Sequence, residues 1–118
     1  MARKELQKAL EATDEIQLTV TGRKSGRPHS NPVWFVHKGD TLYLIPVRGS
    51  DSEWYKNVLA KPTIRLAAEG TEWTARARPV KDASRVREIV DALRAAHGAD
   101  EVKRYYSKLD TAVEVALP

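Results

Sequence analysis

The segment Thr41–Val47, with the sequence TLYLIPV, is apolar on both of its alternating faces. One face would carry Leu42, Leu44 and Pro46, and the other Tyr43, Ile45 and Val47. A strand that is wet on one face alternates apolar and polar residues instead. We therefore predict that this strand is covered by a barrel interior on one side, and by a helix or a second subunit on the other.

The remaining periodicities predict further strands and helices around this strand. The predicted strands are Glu15–Thr21, Ser30–His37, Thr63–Ala68, Thr71–Val80 and Ala112–Leu117. The predicted helices are Met1–Thr13, a short one capped by Asp51 or Ser52 with the stripe Trp54, Tyr55, Val58 and Leu59, then Asp82–His97 and Ala99–Leu109. About six strands without regular βα alternation favour a mainly β fold, a small antiparallel barrel with flanking helices.

A basic turn follows the first predicted strand. Gly22 and Gly26 bracket Arg23, Lys24 and Ser25, and Arg27-Pro28-His29 follows at once. Glycine permits the tight backbone that such a turn needs, and the turn then presents amides, a hydroxyl and cations to an anionic ligand. The alternative is a turn that is basic only because it lies in water.

The sequence offers few side chains for catalysis. It contains no cysteine, which excludes disulfides, thiol nucleophiles and zinc-thiolate sites, and its three histidines are far apart. We therefore predict no metal site and no catalytic side chain. Such a protein suits a reaction in which a bound flavin-like ring carries the hydride and the protein holds and orients it.

Length and charge limit the possibilities further. With 118 residues we expect one domain, residues 1–118. The net charge of +4 is compatible with an acidic ligand, with nucleic acid or with an anionic membrane surface. No run of about 18 apolar residues predicts a membrane span, and the N-terminal segment lacks the apolar centre of a signal peptide, so a cytoplasmic location is expected.

Three motifs in this chain resemble those of a known family. The turn T-G-R-K-S-G-R-P, the strand P-V-W-F-V and the helix W-Y-x-N-x-x-x-x-P resemble the deazaflavin (F420)-dependent nitroreductases, over about Ile16–Leu66. That family is part of the split β-barrel flavin and deazaflavin oxidoreductases, which include FMN-binding relatives of pyridoxamine-phosphate oxidases. The resemblance implies a six-stranded antiparallel split β-barrel of the FMN-binding type, F420 or alternatively FMN as cofactor, and a homodimer.

The resemblance also implies a set of cofactor-binding residues. Arg23, Lys24, Ser25 and His29 would bind the phosphate and acidic tail, with Arg48 closing the other side. Asn31, Pro32, Val33, Pro46 and Val47 would lie beside the ring, next to a helix anchored by Trp54 and Tyr55, for which core packing is the competing role. His29 stands where the family commonly carries arginine, the late helices differ from the family's shorter tail, and Tyr105 and Tyr106 receive no role.

The predicted function is hydride transfer between reduced deazaflavin and a hydrophobic acceptor such as a nitro compound or a quinone. The density of cations in the turn favours F420, whose tail carries several carboxylates, over FMN with its single phosphate. The alternatives are an FMN-binding oxidoreductase, a non-catalytic cofactor carrier, and a small basic barrel that binds single-stranded nucleic acid. Because the cations concentrate in one turn, we expect no nucleic-acid partner.

Overall fold

The structure is a computed structural model that describes residues 3–117, and its centre is a closed barrel of six strands. The strands are β1 (Glu15–Thr21), β2 (Pro28–Lys38), β3 (Thr41–Leu44), β4 (Thr63–Ala68), β5 (Thr71–Val80) and β6 (Ala112–Ala116). They pair in the order β1-β2-β3-β6-β5-β4, and every neighbouring pair is antiparallel. This confirms the predicted six-stranded antiparallel barrel.

Four α-helices flank the barrel. They are α1 (Arg3–Glu11), α2 (Glu53–Ala60), α3 (Ala83–His97) and α4 (Ala99–Tyr105), and a 3₁₀ turn, Gly49–Asp51, precedes α2. The Asp82 carboxylate caps α3 by accepting the Ser84 N–H, and Gly98 with φ of 94° ends that helix. All four predicted helices are present, although Met1 and Ala2 of the first lie outside the described residues.

The predicted cover on both sides of the third strand is confirmed. Leu42 and Leu44 belong to the core inside the barrel, which α1 and α2 close with Leu6, Trp54 and other apolar side chains. Ile45 belongs to a second core between the barrel wall and the helices, built largely by α3 with Ile89 and Leu93. The outer cover within this chain is therefore a helix.

Several predicted boundaries were wrong by a few residues. β3 ends at Leu44 instead of Val47, because Pro46 has no amide for the ladder and Val47 is 43% exposed. β2 begins at Pro28 instead of Ser30, and α4 ends at Tyr105 instead of Leu109. Leu59 was wrongly assigned to the apolar stripe of α2, since it is 45% exposed while the amide Asn57 is buried.

The long strand β2 changes partners along its length. From Pro28 to Trp34 it pairs with β1, and from Phe35 to Lys38 it pairs with β3. In the first half, residues 28–32 are exposed on both faces of the strand. This open half of β2 leaves room for a ligand beside the barrel.

Candidate functional site

Two adjoining cavities lie beside the open half of β2. The basic cavity has a volume of about 380 Å³ and is lined by Val20, Gly22, Arg23, Lys24, Ser25, His29, Asn31, Glu53, Trp54 and Asn57. The apolar cavity has a volume of about 500 Å³ and is lined by Glu15, Asn31, Pro32, Val33, Trp34, Ile45, Val47, Trp54, Glu101, Tyr105 and Tyr106. Asn31 and Trp54 line both cavities, and volumes of this size suit a cofactor or a small substrate.

The turn between β1 and β2 builds the floor of the basic cavity. The Gly22 N–H donates to the Arg27 carbonyl (2.8 Å), and the Gly26 N–H donates to the Gly22 carbonyl (2.9 Å). A Cβ at Gly22 would lie 2.6 Å from Ser25 Oγ and 2.8 Å from His29 Nε2. Only glycine at this position lets these two polar side chains approach the backbone so closely.

Arg23 joins this turn to helix α2. Its backbone N–H and its Nη1 both donate to Asn57 Oδ1, at 3.1 and 2.7 Å, and Nη2 donates to Glu53 Oε2 at 3.0 Å. The hydrogen bond and charge of Arg23 hold the pKa of Glu53 below its usual value. The guanidinium is thus already engaged within the chain, where it closes the cavity wall.

Lys24 is the cation of this cavity that has no partner of its own. Its side chain is exposed, and among the described residues its ammonium forms no hydrogen bond and no ion pair within 4 Å. The neighbouring charge of Arg23, by contrast, is compensated by Glu53. Lys24 is therefore the group most available to an anion entering the basic cavity.

The wall of the apolar cavity is a cluster of aromatic rings around Trp34. His97, at the end of α3, stacks on Trp34 with ring centroids 4.2 Å apart, and Tyr105 meets it edge-on at 5.7 Å. Tyr106 lies 5.9 Å from the same ring and is buried, which raises the pKa of its hydroxyl to about 12. His97 is thus a packing partner of Trp34, and Tyr105 and Tyr106 acquire a place in the site.

A second hydrogen-bonded contact positions the loop that carries Val47. The Ser107 N–H, just beyond α4, donates to the Val47 carbonyl (2.8 Å). The backbone N–H and the hydroxyl of Ser50 donate to the Asp110 carboxylate, at 2.9 and 2.5 Å. The loop before α2 is therefore held by the segment that follows α4.

The structure brings most of the predicted site residues together. Those at the basic cavity are Arg23, Lys24, Ser25, His29, Asn31 and Trp54, and those at the apolar cavity are Asn31, Pro32, Val33, Val47 and Trp54. Pro46, Arg48 and Tyr55 line neither cavity. Tyr55 is 2% exposed, and its hydroxyl accepts a hydrogen bond from Thr111 Oγ1 (2.9 Å), as a core residue would.

Sequence reasoning missed several residues of the site. Asn57 and Glu53 were not assigned roles, although the asparagine of the W-Y-x-N motif is a polar residue on a largely apolar helix face, which is a usable signal. Glu15, Ile45 and Glu101 were also missed, and nothing local in the sequence connects them. Their proximity follows from the barrel closure and the path of α4.

Residues 3–117 offer neither a metal-binding cluster nor a membrane-spanning helix. They contain no group of three or more His, Asp or Glu side chains that could hold a metal ion. None of the helices formed by these residues has the length and apolar character needed to cross a membrane.

Similar solved structures define the class of the fold. A structure of an F420-H2-dependent reductase (FDR-A) matches with a TM-score of 0.67 and 22% identity over 86% of this chain and 93% of that one. A structure described as a domain-swapped dimer matches with a TM-score of 0.68 and 21% identity, over 96% and 95% of the two chains. A Listeria innocua protein described as a candidate pyridoxamine 5′-phosphate oxidase matches with a TM-score of 0.72 and 16% identity, over 97% and 91%.

The fold is thus the split β-barrel that these solved structures share. The sequence model of the F420H2-dependent quinone reductase family matches residues 2–117, and the chain belongs to that family. It is an F420-dependent oxidoreductase. The predictions of the fold, the enzyme class and the cofactor are therefore confirmed.

Proposed function

We propose that residues 1–118 act as a single domain that uses reduced F420 to reduce a hydrophobic acceptor, a quinone in the first place and a nitro compound in the second. The observation that carries this proposal is the pair of adjoining cavities of opposite character. One suits an acidic tail, and the other suits a flat ring beside an apolar acceptor. The family description names quinones as acceptors.

The donors of the basic cavity fit the acidic end of F420. Lys24 supplies a positive charge that forms no ion pair within 4 Å among the described residues, and the hydroxyl of Ser25 and the ring of His29, both close to Gly22, line the same cavity. Charged donors of this kind bind phosphate and carboxylate oxygens through strong hydrogen bonds. Arg23 supports this end by fixing the turn to α2 through Asn57.

The residues at the junction of the cavities fit a planar ring. Asn31 and Trp54 belong to both cavities, and Pro32 and Val33 extend the floor into the apolar one. When bound there, the reduced deazaflavin supplies the hydride. The chain's own part is to orient the ring and to keep water from its apolar face. Pro46, Arg48 and Tyr55 remain predicted contacts whose side chains lie outside both cavities.

The remaining volume of the apolar cavity suits the acceptor. Trp34, Tyr105 and Val47 present aromatic and aliphatic surface there, and Val47 and Tyr105 are among the exposed large apolar side chains. Aromatic surface of this kind pairs well with a flat quinone. This arrangement supports a hydrophobic acceptor and leaves its ring substituents open.

A homodimer is part of the same proposal. Residues 28–32 of β2 are exposed on both faces, and one similar structure is described as a domain-swapped dimer. A second copy covering this strand half would enclose the two cavities. Sedimentation equilibrium tests this directly, and a monomer at all accessible concentrations would contradict it. The cytoplasmic location stays a prediction.

The central experiment is a parallel titration with F420 and FMN, monitored by tryptophan fluorescence, since Trp34 and Trp54 line the cavities. We expect saturable binding of F420 at lower concentration than FMN, and oxidation of F420H2 when menadione is added. Binding without turnover of menadione or a nitroaromatic would favour a cofactor carrier. Salt-dependent binding of single-stranded DNA without affinity for F420 would favour the nucleic-acid alternative.

A further inference from the structure

Two carboxylates interrupt the otherwise apolar and aromatic lining of the apolar cavity. Glu15 is the first residue of β1, and Glu101 lies in the first turn of α4. Among the residues that the structure describes, no lysine, arginine or histidine lines this cavity. The charged side chains at its wall are therefore all negative, whereas the basic cavity holds the cations of the turn.

The two carboxylates approach the cavity from different elements that both contact Trp34. Glu15 is the strand partner of Trp34 in the β1–β2 ladder. Glu101 precedes Tyr105 by one helical turn, and Tyr105 lies edge-on to the Trp34 ring. The two negative charges thus reach the cavity from two different elements, β1 and α4, each of which lies next to Trp34.

Neither carboxylate is neutralised by a neighbour. Among the residues that the structure describes, Glu15 and Glu101 form no ion pair within 4 Å, and both are exposed. On α4, the Arg104 guanidinium lies over the Tyr105 ring, 5.4 Å from its centroid, and does not line the cavity. The cavity therefore carries a surplus of negative charge.

We infer that Glu15 and Glu101 are specificity-determining residues that discriminate acceptors by charge, disfavouring anionic and favouring cationic or neutral ones. This inference rests on the proposed function of the apolar cavity. Unit charges at short range in a partly solvated cleft change association by about threefold to tenfold each, less as salt screens them. The same field opposes entry of the acidic cofactor tail into the apolar cavity, so it also favours one orientation of the cofactor.

The test compares three acceptors that share a naphthoquinone ring: menadione, 1,4-naphthoquinone-2-sulfonate and a naphthoquinone carrying a trimethylammonium group. The variant is Glu15→Gln combined with Glu101→Gln, which removes both charges and keeps the shape of the side chains. The matched control is Glu5→Gln with Glu88→Gln, which changes the net charge equally at exposed positions outside both cavities. The readout is the ratio of kcat/KM for the cationic acceptor to that for the anionic one.

We expect this ratio to fall by roughly tenfold or more in the E15Q/E101Q variant, to stay near the native value in the control, and to shrink with salt in the native protein. An equal ratio in the native protein and in E15Q/E101Q would overturn the inference. Dissociation constants of the three compounds, from quenching of tryptophan fluorescence, give the same ratio without turnover. Loss of all quinone turnover would thus count against the proposed function alone, while the binding ratio still decides the role of the two carboxylates.

Discussion

The two cavities differ in how the chain builds them. Four of the ten residues that line the basic cavity, Gly22, Arg23, Lys24 and Ser25, come from the six-residue turn between β1 and β2, which Arg23 clamps to α2. The apolar cavity is built by residues from β1, β2, the loop after β3, α2 and α4, which are far apart in the chain. Because Asn31 and Trp54 are the lining residues that the two cavities share, the proposed acceptor end can vary in sequence without disturbing the groups that are proposed to hold the cofactor tail.

The largest effect on cofactor binding is expected from removing Lys24, the cation of the basic cavity that forms no ion pair. Replacing Lys24 by alanine removes a charge-assisted bond, worth about 1.5–3 kcal/mol, or a roughly tenfold to hundredfold weaker Kd for F420. The KM for a neutral quinone measured at saturating F420 should change far less. Fluorescence titration gives the first quantity and steady-state kinetics gives the second.

Lys56→Ala is the matched control, because Lys56 is also exposed and lies on α2 but lines neither cavity. Adding Arg48→Ala to Lys24→Ala tests the predicted contact of Arg48 separately: a further loss of F420 affinity would support it, and no further loss would remove Arg48, whose side chain lies outside both cavities, from the site. If Lys56→Ala weakened F420 binding as much as Lys24→Ala, general surface charge and not the cavity would attract the cofactor.

The next largest effect is expected from removing the hydrogen bonds between Arg23 and Asn57, which join the turn of the basic cavity to α2. Asn57→Ala leaves the Arg23 N–H and guanidinium without their acceptor, and an unsatisfied buried donor costs about 1–3 kcal/mol. We expect the free energy of unfolding to fall by this amount and F420 binding to weaken with it. Urea denaturation and titration of the same samples test both expectations.

Glu53→Gln is the control for the clamp. It removes the charge from the exposed ion pairs of Glu53 with Arg23 and Lys56, and such exposed pairs contribute little to stability. The stability of this variant should therefore stay close to that of the native protein. Equal losses in the two variants would mean that the charge of Glu53, and not the buried amide of Asn57, holds the turn against α2.

The two cavities also differ in how much of each could be predicted from the sequence. The barrel, its six strands and the basic turn are local patterns of alternation and glycine spacing, and they were predicted close to their observed bounds. Lys24 and Ser25, which were predicted to bind the cofactor tail together, line the same cavity, as neighbours in the chain can. By contrast, Glu15 and Glu101 come to line the same cavity only after the barrel closes and α4 packs beside it, and no local sequence pattern encodes this.

Where the observed contacts differ from the expected ones, the physical causes are of the same kind. Arg23 was expected to bind the cofactor tail directly, but Asn57, 34 residues away, takes its hydrogen bonds. Tyr55 was placed in the site with Trp54, whereas a helix turns neighbouring side chains about 100° apart, so only Trp54 lines the cavities. Long-range hydrogen bonds and helix rotation decide such positions, and a single sequence shows neither.

A smaller effect is expected from changing Gly22 in the turn between β1 and β2. In Gly22→Ala the new Cβ would meet Ser25 Oγ and His29 Nε2, which are ends of side chains and can rotate away. We expect a loss of roughly 1–2 kcal/mol in F420 binding, from this overpacking, with a smaller loss of stability. Gly39→Ala is the reverse case: nothing lies near its Cβ, but its φ of 57° is strained for alanine, so stability should fall without loss of F420 affinity.

The smallest expected effect concerns the exclusion of water from the apolar cavity at Tyr106. Burial raises the pKa of this hydroxyl to about 12, against about 10 for an exposed tyrosine. Below pH 10 the hydroxyl is protonated in both states, so its contribution to stability is complete there. Between pH 10 and 12 the unfolded chain loses this proton first, so the native protein should lose about 1 kcal/mol on this account from pH 9 to 11.

In Tyr106→Phe this loss is absent, whereas Tyr105→Phe, which removes an exposed hydroxyl, should keep it. Urea unfolding of the three proteins at both pH values measures the difference. If Tyr106→Phe lost as much stability as the native protein, water would reach the hydroxyl, and the two cavities would differ in charge but not in access to solvent.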